Sequence, residues 1–264
     1  MMKEIYFAFY AIKKNIQSSA ELRTSFVTNI VGMAINNTAF IIIWIFFVKS
    51  VGIINGWTAA DIIGLMGFTA LSYGVVFSGA SGIRKLADYV ASGSFDRFML
   101  SPKNLLVRVA TSAFGVSALG DIVFGVACLL IYGFLVQVSF VQVFLISLLV
   151  LISVLVFLAA AIAVYSASFL FTDANSVTSG LFELFLTPSL FHGGAFQGAT
   201  RIVFTFFIPS LVVGALPVEI AKNLSWGNLI LVACIAVIWF LLSLKLFGMG
   251  VKKYESSNFM TFGN

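Results

Sequence analysis

The chain reads as an all-α polytopic membrane protein with six transmembrane helices. Three observations predict this class. Of its 264 residues, 61% are hydrophobic and only 9% charged, with a mean hydropathy of +1.09, whereas soluble domains carry about 25% charged residues. Several apolar runs reach the ~20 residues that a helix needs to cross the hydrocarbon core. Runs such as 144–161 do not alternate polar and apolar residues, as the strands of a transmembrane barrel would.

The elements follow in order. Residues 1–24 carry Ile5, Phe9, Ile12 and Ile16 at helical spacing among Lys3, Lys13, Lys14 and Arg23. This predicts an amphipathic helix on the inner membrane surface. No short apolar core followed by a small-residue cleavage site occurs there, so the first span is expected to act as its own insertion signal. Spans are expected at 25–48, 60–82, 109–136, 141–171, 176–191 and 226–248. Six spans put both termini on one side. Twelve of the 15 Lys and Arg then share that side, against Lys49, Arg201 and Lys222 on the other. The positive-inside rule makes the termini cytoplasmic. The same rule accounts for the net charge of +5 without a nucleic-acid partner.

Residues 192–222 contain an apolar stretch too short and too interrupted for a further span. Pro209 and Pro217 bracket about two helical turns and disfavour a straight helix. The expectation is a re-entrant helical hairpin on the outer side, whose irregular backbone must be buried in protein or line a wet cavity. The tail, 251–264, is expected in the cytoplasm. With no internal repeat or linker, 1–264 reads as one membrane domain.

Small and polar residues recur at helical spacing inside the spans: Ser25, Asn29, Gly32 and Asn36 in the first, Gly64, Gly67, Gly74 and Ser78 in the second, Ala113, Ser117, Asp121 and Gly125 in the third, and Ala159, Ala163 and Ala167 in the fourth. Such stripes let helices approach closely, and some could line a substrate path. Asp121 and Glu183 are the sharper cases, because an intramembrane carboxylate faces a bundle interior or water. Glu183 shares its face with Ser179 and Thr187. Each carboxylate has a structural reading, an interhelical hydrogen bond, beside a transport reading. Arg201 could pair with either of them or sit at the outer interface. Asn29, Asn36, Asp121, Glu183 and Thr187 are the candidates for an interior path.

Enzyme chemistry is not indicated. His192 is the single histidine, which excludes paired-histidine metal chemistry. Cys128 and Cys234 lie in apolar runs, as small packing residues do. No Gly-x-x-x-x-Gly-Lys-Ser/Thr phosphate loop occurs, so any ATP that powers the protein is expected on another chain.

The segment 83–108 stands apart, holding seven of the chain's 25 charged residues between two spans. Ile83, Leu86, Tyr89 and Val90 form one apolar face of a surface helix, with Arg84, Lys85 and Asp88 around the other. Residues 91–94 break it. Phe95, Phe98, Met99 and Leu100 begin a second short helix, with Ser94 as its cap and Pro102 ending it.

Three places resemble the ABC type-2 permeases, the membrane subunits of ATP-binding-cassette exporters, in the branch of small six-span permeases with no fused ATPase. The stretch Ser92-Gly93-Ser94-Phe95-Asp96-Arg97-Phe98-Met99-Leu100-Ser101-Pro102 is similar to that branch's "small-Gly-x-hydrophobic-Asp-x-x-Leu-x-x-Pro" after span two, departing at Met99 and Ser101. Phe207-Ile208-Pro209-Ser210 with Gly214-Ala215-Leu216-Pro217 resembles the paired prolines before the last span. Lys253-Tyr254-Glu255-Ser256 resembles the tail after it. The resemblance implies a subunit of a bacterial plasma membrane that dimerises with an identical or homologous permease and docks a cytoplasmic ATPase dimer. That ATPase would hold ATP and Mg2+, with no cofactor on this chain. It further implies that the loop after span two couples to the ATPase, with Arg84, Lys85, Asp96 and Arg97 as contacts, Phe95 and Phe98 as apolar anchors, and Gly93 and Pro102 shaping it. The hairpin at Pro209 and Pro217 would close the outer exit. The rival readings are a proton-coupled secondary transporter using Asp121 or Glu183, and a membrane anchor or sensor.

Overall fold

The computed structural model describes residues 2–51 and 56–254, with side chains at all of these except 2, 3, 5 and 47–51. Ile5, Lys49, Glu255 and Ser256 therefore lie outside the described side chains. Every regular element among the described residues is a helix. α1 (Met2–Glu21) runs into α2 (Arg23–Val51) with only Leu22 between them, and α3 (Ala59–Gly79) follows. Three short helices, α4 (Leu86–Ala91), α5 (Asp96–Met99) and α6 (Leu105–Ala110), lead to α7 (Val116–Val136), α8 (Phe140–Ser166) and α9 (Ala174–Ser189). α10 (Ala199–Ile202), α11 (Ala215–Asn223) and α12 (Trp226–Lys253) complete the chain.

Among the described residues, five helices are long and apolar enough to cross a membrane: α2, α3, α7, α8 with its 3-10 extension to Phe169, and α12. The expected fifth span, 176–191, forms α9, whose 16 residues extend only ~24 Å, short of the ~30 Å hydrocarbon core. The third span begins later than the expected 109. Residues 105–110 form α6, and the chain then breaks before Val116. The reason is a crossing with the end of α3. The Gly115 amide donates to the Phe77 carbonyl at 3.2 Å, and Gly82 lies so close to the Val109 and Ala110 carbonyls that a Cβ has no room.

Local sequence sets the helix ends. Thr58 and Asp61 form a capping box at the start of α3, and Ser139 and Gln142 form another at the start of α8, each satisfying amides that the first turn leaves unpaired. Within the bundle α3 is central, packed on α7, α8 and α2, while α12 packs along α8. The α3–α7 contact uses the expected small-residue stripes. Gly74 faces the backbone of Ile122, and a Cβ on Gly125 would stand 2.5 Å from the Leu71 amide nitrogen. These stripes are close helix packing.

α1 lies at the loop end of the bundle. The Asn15 amide donates to the Thr111 carbonyl at 2.9 Å, and Glu4 accepts from the Asn104 amide at 3.2 Å. Its Tyr6 and Phe9 are exposed, in keeping with a helix whose remaining apolar surface awaits a membrane interface.

At the opposite end, residues 193–223 form two helical limbs. α10 and a π-helical turn, Val203–Phe207, descend, residues 208–214 turn, and α11 returns. The turn reaches the middle of the bundle. Trp239, halfway along α12, donates its indole N–H to the Phe206 carbonyl at 2.9 Å. Ser153, the middle residue of α8, donates to the Val212 carbonyl at 3.5 Å. Leu211, Val212 and Val213 are fully buried, and Pro209 and Pro217 are buried as well. Irregular backbone at that depth is tolerated because side chains of the neighbouring helices satisfy its carbonyls. Arg201 joins the two limbs by an ion pair to Glu219, so it pairs with neither Asp121 nor Glu183. Lys222 pairs with the buried Asp61 at 2.8 Å, which ties the returning limb to the start of α3.

Candidate functional site

The loop after α3 is two-faced. A 3-10 turn, Ser81–Lys85, leads into α4, and of the apolar face that the helical spacing predicts Ile83 and Leu86 are buried while Tyr89 and Val90 are half-buried. Gly93 takes φ +69°, a conformation that favours glycine. The Phe95 amide then reaches back to the Tyr89 carbonyl at 2.9 Å. Ser94 does not cap α5. Its hydroxyl lies 2.9 Å from that of Ser92, and α5 begins without a side-chain cap.

Phe95 is 0% exposed. Its ring meets Phe169 edge-on at 5.1 Å and Tyr254 at 4.9 Å. Phe98 is also buried, against Tyr89 at 5.1 Å, and Arg108 donates to its carbonyl. Phe95 thus fastens the loop to rings outside it, and Phe98 holds the parts of the loop to one another. The opposite face carries Arg97, Met99 and Leu100, of which Leu100 is 88% exposed. Arg97 is braced over the rings of Tyr89 and Phe98 at 5.4 and 5.2 Å.

Two contacts link this loop to the long helices. The Arg84 guanidinium turns back over the Phe77 ring at 5.0 Å and donates to the Tyr73 hydroxyl at 3.0 Å. Asp88 accepts from the Asn175 amide at 2.9 Å, at the start of α9. Lys85 faces outward. Tyr254 brings the C-terminal motif onto the loop. Burial, and after it the neighbouring Asp96 carboxylate, push its phenol up to about 12. The hydroxyl is enclosed beside Asp96, with no hydrogen-bond partner among the described residues. Three stretches of the chain, the loop, residue 169 and the C-terminal motif, therefore form one aromatic cluster of Phe95, Phe98, Phe169 and Tyr254.

The second feature is a cavity of about 280 Å³ between α2, α3, α7 and α9, with Asn36, Asn37, Thr69, Tyr73 and Asp121 among its lining. Asp121 is 3% exposed. Its Oδ1 accepts from the Asn37 side-chain amide at 2.6 Å, and its Oδ2 has no partner among the described residues. Tyr73 lines the cavity while holding Arg84, so this wall is continuous with the loop.

The remaining expected path residues lie on the uncovered side of the chain. Asn29, Gly32 and Asn36 are exposed along α2, and among the described residues nothing approaches Gly32 within 4 Å. Ser179, Glu183 and Thr187 are exposed along α9, with the Thr187 hydroxyl donating to Glu183 at 3.5 Å. Helical spacing does not separate these stripes from those of α3 and α7. It also selects Asn36, whereas the neighbouring Asn37 reaches Asp121. Tyr73, Asp61 and Glu219 escape a reading by composition. For Asp61 the signal is its position three residues after Thr58, a capping pattern.

Residues 33–258 match the family described as ABC-2 family transporter protein. The chain belongs to the ABC-2 transporter family. No curated protein and no solved structure matches it. The permease is thus a multi-pass membrane subunit of an ABC transporter, in a family whose members typically work with an ATPase subunit. The loop, the hairpin and Tyr254 all fall within the matched residues.

Proposed function

We propose that this permease is the membrane half of an ATP-driven exporter in a bacterial plasma membrane, with both termini cytoplasmic and six spans, the fifth made by the short α9 together with the residues that flank it. A separate ATPase dimer binds ATP and Mg2+ and presses on the loop around residues 93–102. The observation that carries this reading is the two-faced loop. Phe95 is buried against Phe169 and Tyr254 and Phe98 against Tyr89 within the loop, while Arg97, Met99 and Leu100 face outward, so a push on the outer face passes through Phe95 into the bundle rather than bending the loop.

The transmission runs through Arg84 to Tyr73 on α3 and through Asp88 to Asn175 on α9. In this reading α2, α3 and α9 tilt against a second permease, identical or homologous, as a rigid-body switch. The exposed polar faces of α2 and α9 then border the path, since polar groups in a span belong against water or another chain rather than lipid. The hairpin at Pro209 and Pro217 is re-entrant from the outer side and closes the exit.

Affinity purification of the tagged chain in mild detergent tests the partner. The expected result is an ATP-binding subunit in stoichiometric yield, and Arg97→Glu lowers that yield while leaving membrane insertion intact. Transport by the chain alone, abolished by Asp121→Asn, would instead establish the proton-coupled reading. Capture of a partner by a chain that transports nothing would favour an anchor.

A further inference from the structure

We propose that the cavity beside Asp121 is a binding site for an ammonium-bearing apolar molecule, held by its cation on the free carboxylate oxygen. The inference deepens the exporter reading and rests on it only for the cargo role; the binding itself stands on the cavity.

The first ground is an unmet acceptor. A carboxylate offers about four lone-pair sites, and Asp121 uses Oδ1 for Asn37 while Oδ2 is buried with no donor among the described residues. A charged group inside a span is costly, so it is normally matched by a cation or a donor. The ion pairs formed by described residues are Arg201–Glu219 and Lys222–Asp61, and neither involves Asp121. Arg84 is already held by Tyr73 and lies over Phe77.

The second ground is the wall. Phe40, Phe124 and Tyr73 bring aromatic rings to the cavity, and Met33 and Met66 bring thioethers. Ring faces attract ammonium groups, and methionine adapts its shape to apolar ligands. A carboxylate among aromatic rings and no basic side chain selects for positive charge over an anion or a neutral polar head.

The third ground is access and size. About 280 Å³ is at the lower end of ligand pockets, enough for a head group and the start of an apolar tail. The rim residues Asn36 and Phe40 are exposed on α2, so the mouth opens on the uncovered face of the chain, where an apolar tail can remain outside.

The test uses the full chain in nanodiscs of zwitterionic lipid, with labelled benzyltrimethylammonium as the probe. Its neutral isostere neopentylbenzene, which replaces the charged nitrogen by carbon, is the competitor. The expected result is saturable binding displaced by unlabelled benzyltrimethylammonium but not by neopentylbenzene. Asp121→Asn should weaken binding by about tenfold or more, the range of a charge-assisted contact. Equal displacement by the neutral isostere in the wild-type chain would overturn the proposal, as would unchanged binding in Asp121→Asn. If that variant does not fold, Ala70→Phe fills the cavity and leaves the carboxylate in place; persistence of binding then overturns it too. No ATPase enters this assay, so its failure leaves the loop reading intact, and failure to recover an ATPase leaves the cavity result standing.

Discussion

Replacing Phe95 by alanine should release the loop without unfolding the bundle, whereas replacing Leu100 should do the reverse to function, weakening the partner and leaving the loop in place. Phe95 is fully buried, with edge-on contacts to Phe169 and Tyr254. Truncating such a ring costs ~3–5 kcal/mol, which includes the aromatic pairs, each worth about 0.5–1.5 kcal/mol beyond area burial. Phe95 belongs to a short segment held mainly by these rings, so the loss falls on docking of the loop. A loss of about 3 kcal/mol raises the undocked population by more than 100-fold. Leu100 is 88% exposed, and its truncation removes almost nothing from the chain's own packing. Limited trypsin digestion reads the difference, because Arg97 and Lys103 lie in the loop and nicking tracks the population of the open form when opening is fast. Phe95→Ala should be cut at these residues at least an order of magnitude faster than wild type. Leu100→Ala should be cut at the wild-type rate yet recover less ATPase in purification. Equal cutting of Phe95→Ala and wild type would refute the anchoring role, and faster cutting of Leu100→Ala would refute the assignment of the two faces.

Two further outcomes check other parts of the structure. Gly125→Val should sharply lower the yield of monodisperse protein on size exclusion, since even a Cβ would stand 2.5 Å from the Leu71 backbone and cannot be absorbed by side-chain movement. Gly32→Val should leave that yield unchanged, because among the described residues nothing lies within 4 Å of a Cβ there. Burial lowers the pKa of His192 below its ordinary 6.5, so the folded ring stays neutral where the unfolded one takes up a proton. Its contribution to stability is present above about pH 6.5 and is lost as pH falls below that value. The drop in thermal midpoint between roughly pH 7.5 and 5.5 should therefore shrink in His192→Asn; an unchanged drop would mean that the ring titrates normally.

The membrane class and most span positions are legible in the sequence because spanning a bilayer imposes a length and an apolarity on each helix separately. Short elements are less so: α6 and the late start of α7 result from the crossing at Gly82 and Gly115, a contact between segments about 30 residues apart that no local pattern records. The site divides in the same way. The order of residues in 92–102 and the paired prolines carry the family resemblance, and the match over residues 33–258 bears it out.

By itself, the sequence determined that this protein is a helical membrane protein and to which family it belongs. Only the tertiary structure decided what each stripe and aromatic residue does. Gly74 and Gly125 face another helix, and Gly32 and Asn36 face none, although their spacing is the same. Phe95 turns inward to rings from α8's extension and the C-terminal end, while Leu100 turns out. Asp121 finds Asn37 rather than Asn36. Helical periodicity fixes which residues share a face, but the direction in which that face points depends on partners distant in the chain.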